Sequence, residues 1–285
     1  MTRLREDLQN LCGERHPGLV VVSGDLTSRA DANALDIEAL DFLNAIHSQL
    51  CVPREAILVI PGNHDFRLSH YEPTNFSHER PFNQMLREFY GNYDPDDRIK
   101  RFSFPSGHRA EFLLINSVRL RKVEEANYGY VEWSLYDSRL RATPKDPDVT
   151  RVAVLHHHLI SIVKEEFYDE DYKFAGISTT LDGGAVIEGL QAHEFRIALH
   201  GHQHVPGIAR ISRGVLDRDN MAMPSPDLVI LAAGSAGAKV ERLTPLMRDN
   251  SYNLLKFMRD EIVIDVRRYN SGLPGSRYFA ARVAR

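Results

Sequence analysis

Four short apolar runs in this chain each end in side chains that bind transition metals. Leu19-Val20-Val21-Val22-Ser23-Gly24 delivers Asp25, and Ile57-Leu58-Val59-Ile60-Pro61-Gly62 delivers Asn63 and His64 with Asp65 directly behind. Val152-Ala153-Val154-Leu155 delivers His156-His157-His158, and Ile197-Ala198-Leu199-His200-Gly201 delivers His202 and His204. A carboxylate, an amide oxygen and several imidazoles, without thiolates, suit a harder or borderline ion such as manganese, iron or zinc. His202 and His204, two residues apart in an extended segment, project to the same side. Of the three consecutive histidines, one suffices as a ligand. Two ions about 3.5–4 Å apart would clamp the attacking and leaving oxygens of an in-line displacement at phosphorus. Coordination would also make hydroxide available near neutral pH by lowering the pKa of water.

Such ligands converge when their strands lie side by side, because in open α/β sheets ligands collect beyond the carboxyl ends of the strands. The sequence supplies suitable elements. Leu4, Leu8 and Leu11 mark a helix over 3–12 stopped by Gly13, and 18–23 reads as a buried strand. Gly24 lets the backbone turn sharply to present Asp25. Leu35, Leu40, Leu43, Ile46 and Leu50 mark a second helix, followed by a strand at 56–60. Phe82, Met85, Leu86, Phe89 and Tyr90 define a third helix. Strands are expected at 110–115, 151–155 and 195–199, and helices at 129–141 and 183–192. This β-α alternation with continuous Val/Ile/Leu strands predicts a parallel or mixed sheet covered by helices. Segments 206–212, 227–233, 251–257 and 261–268 read as strands without helices between them, which predicts a second sheet packed on the first. Segments 142–150 and 213–226 read as surface loops.

A chain of 285 residues with 43% hydrophobic and 26% charged residues can bury one large core, and no linker or repeat divides it. One domain over 1–285 is expected. The net charge of -4 and the lack of a Lys/Arg cluster argue against a nucleic-acid partner. No apolar stretch approaches the roughly 18 residues of a membrane span, so no membrane partner is expected. Two cysteines suit a reducing, cytoplasmic compartment. Arg29, Asn116, Tyr128, His157 and Tyr168 are candidates for a pocket, and the acidic loop 159–182 reads as solvated surface.

The order Gly24-Asp25, Gly62-Asn63-His64-Asp65, His156, Gly201-His202-Gln203-His204 resembles the calcineurin-like metallophosphoesterase superfamily over nearly the whole chain. The segments Val22–Thr27, Val59–Asp65, Ala232–Gly237 and Asn250–Asn253 resemble the bacterial branch that includes class III cyclic nucleotide phosphodiesterases. The resemblance implies an α/β fold, a four-layer α/β/β/α sandwich with two mixed sheets. It implies that Asp25 bridges two metals, that Asn63, His156 and His202 complete one, and that His204 binds the other. His156 is chosen because it matches the first residue of the family's His-His-Pro. His64 would touch the phosphate or protonate the leaving group, with Asp65 orienting its ring. His200 would be structural.

The family's first motif, Asp-x-His at the end of a first strand, has no counterpart before Asp25. Glu14 and His16 precede a strand rather than follow one. The expectation is a chain without its beginning, with the first strand absent and the second metal position incomplete. The function implied is metal-dependent hydrolysis of a small phosphoester by a metal-bridging hydroxide, the substrate being a cyclic nucleotide or glycerophosphodiester. The alternative is a catalytically impaired binding or scaffold protein of the same fold.

Overall fold

The computed structural model describes residues 2–12, 16–27, 34–66, 79–118, 128–161, 179–212, 214–216, 222–224, 226–237, 249–269 and 275–284. The chain opens with helix α1 (Thr2–Cys12) and strand β1 (Val20–Val22). A π-helical turn (Ala34–Ala39) leads into α2 (Leu40–Gln49), and β2 (Ile57–Val59) follows. Helix α3 (Arg80–Tyr90) buries Phe82, Met85, Leu86 and Phe89 along one face. It ends at Gly91, whose φ of 76° lets its N–H return to the Arg87 carbonyl. Then come β3 (Ile99–Ser103), β4 (Arg109–Leu114), α4 (Ser134–Ala142), β5 (Val149–Val154), α5 (Gly183–Ala192) and β6 (Phe195–His200). Seven strands close the chain: β7 (Gly207–Ile211), β8 (Gly214–Leu216), β9 (Ala222–Pro224), β10 (Leu228–Ala232), β11 (Asn250–Phe257), β12 (Glu261–Tyr269) and β13 (Ser276–Ala284).

Six strands form one mixed sheet in the order β3-β4-β5-β6-β10-β7, with β4, β5, β6 and β10 parallel and β3 and β7 antiparallel at the edges. The ladders β1-β2 and β11-β12-β13 face it. Alternation along each strand separates three cores. Leu58, Ile60, Phe112, Val152, Val154, Ile197, Leu199, Ile264 and Val266 fill the space between the strand layers. Ile57 and Val59 point the other way, toward α2 and α3, and Leu113, Ala153, Leu155 and Ala198 point toward α4 and α5. Three cores separate four layers, the α/β/β/α sandwich expected. Among the described residues no helix is long and apolar enough to cross a membrane.

Several local expectations need correction. Strands 206–212 and 227–233 do not belong to a second sheet. Strand β10 is buried on both faces and inserts parallel to β6, and β7 caps it antiparallel. The loop expected at 213–226 contains the hairpin β8-β9. The helix expected at 129–141 starts at Ser134. Glu132 has a φ of 54°, and the N–H groups of Val131 and Glu132 donate to Asp182 instead of to a helical turn. Strands β3 and β13 were not expected; both lie at sheet edges, where one-sided pairing leaves a weak apolar pattern.

Strand β1 has β2 as its ladder partner, and its three valines are half-buried where all of β2 is buried. Val20 and Val22 share one core with Tyr252 and Leu254 of β11, and Val21 shares another with Leu255 and Phe257. Among the described residues no ladder joins β1 to β11. Helix α1 spans the two pieces. Asp7 receives two hydrogen bonds from the Arg267 guanidinium, at 3.0 and 2.6 Å, and one from the Tyr252 hydroxyl at 2.6 Å. Asp7 and Arg267 are both buried, so neither charge has water as a substitute partner. Asp7→Ala is expected to lower stability by about 3–5 kcal/mol because it strands the guanidinium in the interior. Urea denaturation measures the loss, and an unchanged midpoint would refute the clasp.

Candidate metal centre

The carboxyl ends of β1 and β2 meet those of β5 and β6 across the inter-sheet core. There the chain turns through backbone conformations that ordinary side chains avoid. Asp25, His202 and His204 have φ values of 56°, 79° and 58°, all left-handed. Non-glycine residues in that region cost about 1–3 kcal/mol each and persist where the surroundings over-determine them. Gly24 precedes Asp25 with a φ of 94°, and a Cβ there would fall 2.6 Å from both the Gly62 amide nitrogen and His156 Nδ1. A Cβ on Gly62 would overlap the Asp25 carboxylate. The two strand-end loops thus interlock through glycines, and the space a side chain would fill holds Asp25.

The donor atoms converge. His156 Nε2 lies 3.1 Å from Asn63 Oδ1, 3.1 Å from His202 Nδ1 and 3.3 Å from Asp25 Oδ2. His202 Nδ1 lies 3.0 Å from Asn63 Oδ1. The Nδ1–H of His156 donates to the Ser23 carbonyl at 2.7 Å, so in the neutral ring Nε2 carries a lone pair. Asn63 Oδ1 and Asp25 Oδ2 are acceptors as well. A proton on His202 Nδ1 or His156 Nε2 can bridge these atoms as a hydrogen bond, and where neither carries one the facing lone pairs repel unless a cation sits among them. Bonds of about 2.1 Å at angles between 90° and tetrahedral would separate neighbouring donors by about 3.0–3.4 Å. The Asn63, His156 and His202 donors are thus spaced as ligands that could share one metal ion, with Asp25 Oδ2 adjoining them at His156.

Electrostatics say the same of the metal-free protein. Burial pushes the Asp25 carboxyl upward, but the adjacent His156 imidazole, and then the His64 ring and amide, outweigh it and hold Asp25 well below the usual carboxylate range. Burial lowers His156, and the Asp25 carboxylate more than reverses this, so its pKa is raised. A proton on His156 then does in part what a metal would do. Asp65 is fully buried, and burial followed by the Asp25 charge raises its carboxyl to about 6. His200 is buried beside His158 and pushed down to about 3, a neutral structural ring.

The expected residues fall into different places. His64 is exposed at the rim, with its backbone N–H on Asp25 Oδ1 at 3.1 Å. Asp65 does not hold the His64 ring: its oxygens accept from the Thr27 amide at 3.0 Å, the Thr27 hydroxyl at 3.3 Å and the Gly62 amide at 2.9 Å. It clasps the two ligand loops together. His204 is half-buried; burial lowers its pKa while the Asp25 carboxylate pulls the other way. Its loop is backed by Gly234, where a Cβ would overlap Ser251 Oγ and lie 3.3 Å from the His204 carbonyl. Asn253 donates to the Ala232 carbonyl at 3.0 Å, so segments 232–237 and 250–253 together buttress the His204 loop. Asn116 is tied into its own turn by the Val118 amide at 2.9 Å, and Tyr128 is half-buried. Arg29, Tyr168, Glu14 and most of loop 159–182 lie outside the described residues. His16 is exposed at the far end of β1 from Asp25.

Sequence reasoning missed three participants: the Ser23 carbonyl, Thr27 and Ser117. Ser117 Oγ sits 2.9 Å from His157 Nδ1, and His157, His156 and His202 each bring one ring nitrogen within 4.8 Å of the others. The Thr27 hydroxyl had a signal, its place two residues after Asp25. Ser117 had none.

The calcineurin-like phosphoesterase family model matches residues 2–206. No curated protein matches the chain in sequence. A purple acid phosphatase from yellow lupin (Lupinus luteus) seeds aligns in structure with a TM-score of 0.52 at 13% identity, over 99% of this chain and 48% of its own. GAP50, the anchor in the inner membrane complex of Plasmodium, aligns with a TM-score of 0.52 at 12% identity, over 99% of this chain and 82% of its own. The chain spans about half the length of the lupin phosphatase. At these identities the likeness is one of fold alone.

Two outcomes follow from the geometry. Gly62→Ala is expected to abolish metal uptake, read by equilibrium dialysis, because its methyl displaces Asp25; normal uptake would refute the interlock. Metal uptake must also displace the proton that Asp25 holds on His156. Apparent affinity is expected to fall about tenfold per unit of pH below the raised His156 pKa. Chelator competition between about pH 5 and pH 8 tests this, and a flat profile contradicts it.

Proposed function

The chain belongs to the calcineurin-like phosphoesterase family, and on that premise we propose that it is a metal-dependent phosphoester hydrolase acting on a small phosphodiester, such as a cyclic nucleotide or a glycerophosphodiester. The observation that carries this reading is the clustering of Asn63, His156 and His202 donors at separations of 3.0–3.1 Å, with Asp25 Oδ2 3.3 Å from His156 Nε2. Asp25 and His204 would hold a second ion beside the first. Oxygen and nitrogen donors without sulfur favour manganese, iron or zinc. When bound, such ions polarise a phosphoryl oxygen and lower the pKa of water.

The chain's own residues do the rest. His64 stands at the solvent-facing rim, where an imidazole can hold a proton for the departing alkoxide oxygen. Its backbone N–H fixes one Asp25 oxygen, leaving the other for the ion. Asp65 and Thr27 keep the two loops in register. The preference for a diester rests on the resemblance carried by segments 232–237 and 250–253, which buttress His204. A cytoplasmic setting belongs to the same reading, supported by a content of two cysteines, of which Cys51 is free and exposed.

A second reading, a scaffold or binding protein of this fold, is favoured by one observation. Among the described residues the second ion has two side chains assigned to it, Asp25 and His204. Metal analysis and an assay on the same preparation separate the readings. With Mn²⁺ added, turnover of an aryl phosphodiester is expected to exceed that of the matching monoester and to vanish with chelator. His64→Gln is expected to lower kcat by about 10²–10⁴-fold with metal content unchanged. Protein that carries metal but turns over neither ester would leave the scaffold reading standing, and faster monoester turnover would overturn the diester preference.

A further inference from the structure

His64, the proton donor of the reading above, carries an exposed ring, so the aim of that ring depends on its backbone. We infer that Thr27 is the positioning residue of His64: its hydroxyl fixes the peptide group that directs the imidazole toward the leaving-group oxygen. The inference rests on the hydrolase reading given above.

Both peptide groups that flank the His64 Cα are tied. Each peptide is planar, so holding the two fixes φ and ψ and with them the direction of the Cα–Cβ bond. The first is held by the His64 N–H, which donates to Asp25 Oδ1 at 3.1 Å. The second is held at both ends. The Thr27 hydroxyl donates to the His64 carbonyl at 3.0 Å, and the Asp65 N–H donates to the Gly62 carbonyl at 3.1 Å. Rotation about the two side-chain bonds is then the ring's remaining freedom. The Gly62 bond is internal to the Gly62–Asp65 turn, and Asp25 is committed to the metal positions proposed above. Thr27 is the side chain that reaches from the neighbouring loop to the carbonyl of His64 itself.

Thr27 is itself firmly placed. It is buried, its N–H donates to Asp65 Oδ1 at 3.0 Å, and its branched Cβ restricts rotation of the hydroxyl-bearing bond. The hydroxyl has one hydrogen and two acceptors. Asp65 Oδ1 is the farther of them at 3.3 Å, so the His64 carbonyl is the main one. From this pose the His64 ring acts on both ligands that would hold the second ion. Behind burial and His156 it helps keep the Asp25 carboxyl down, and behind burial, Asp25 and His156 it helps lower His204. In the step it serves, the P–O bond to the leaving group breaks while a water-derived hydroxide forms the new one. The His64 proton passes to the departing oxygen, which releases an alcohol and leaves the imidazole neutral. Transfer across one hydrogen bond tolerates little misplacement of the donor.

The test assays the Mn²⁺-loaded protein on two methyl aryl phosphodiesters, one releasing para-nitrophenol and the other phenol. Nitrophenolate departs readily without a proton, whereas phenolate needs one. Thr27→Val is expected to lower kcat on the phenyl ester by about 10–100-fold and on the nitrophenyl ester far less, with KM and Mn²⁺ content unchanged. Thr27→Ser keeps the hydroxyl and is expected to restore the rate. In a His64→Gln background Thr27→Val is expected to cost nothing further, because the group it aims is gone. Equal losses on the two esters, or an added loss in the His64→Gln background, would mean that Thr27 acts through the metal loops and would overturn the inference. An unchanged kcat would overturn it too. Thermal melts check folding, and if Thr27→Val does not fold, Thr27→Ala takes its place in each comparison. Unaltered protein that hydrolyses neither ester means that the hydrolase reading has failed and takes this inference with it. Active protein in which His64→Gln costs kcat but Thr27→Val does not leaves that reading intact and overturns the inference alone.

Discussion

His156 Nε2 lies 3.1–3.3 Å from polar atoms of three other strand ends, those of Asn63, His202 and Asp25, in a largely buried pocket. In water such an arrangement would be relieved by hydration; inside a protein an unpaired polar atom is costly. The rest of the structure is organised to hold this unfavourable constellation together. Two glycines interlock so that the Asp25 loop cannot retreat. Asp65 is kept in full burial, against the cost of its own charge and that of Asp25, to join Thr27 to Gly62. Asp25 on the β1 loop and His202 and His204 on the β6 loop accept left-handed backbone conformations. Each device is costly alone and sensible once a cation supplies the compensating attraction.

The four strand ends come from both layers of strands. Asp25 and Asn63 follow β1 and β2, whereas His156 and His202 follow β5 and β6. The core between the layers is apolar packing, which resists separation but is indifferent to small sliding. The hydrogen bond from His156 to the Ser23 carbonyl is a directional link across that core. It fixes the offset of the two layers at the place where donor positions must be right to a few tenths of an ångström.

Much of this was legible because the physics is local. Continuous apolar strands, a Gly after three of the four and a metal-binding side chain beyond each mark both the inner strands and the candidate ligands, and α3 and α5 follow directly from their apolar spacing. What escaped depends on partners distant in sequence. Whether β10 joins the first or the second layer is decided by a vacancy beside β6, not by Leu228–Ala232 themselves. Edge strands β3 and β13 carry half-exposed, polar-rich patterns. Asp65 sits beside His64 in sequence, yet its hydrogen bonds run to Thr27 and to the Gly62 amide. Three consecutive histidines look interchangeable until the wall opposite each is known. His156 meets the Ser23 carbonyl, His157 meets Ser117, and His158 lies toward His200.

The two metal positions proposed above would differ in what holds them. The first would draw on both strand layers, so an ion there would cross-link them, and its binding free energy would add to the stability of the pair. The second would share Asp25 and add His204, whose loop is braced from behind by Gly234 and Ser251. Asp25 is therefore the hinge of the site. It sits at the end of β1, a three-residue strand with half-buried valines and one ladder partner, and α1 is anchored to β11 and β12 through the buried contacts of Asp7. A ligand that would be common to both positions rests on a strand with one ladder partner among the described residues. On the proposed assignment, an ion engaging Asp25 at the first position would also restrain β1 and so organise the carboxylate that the second requires: the position with more protein ligands would prepare the one with fewer.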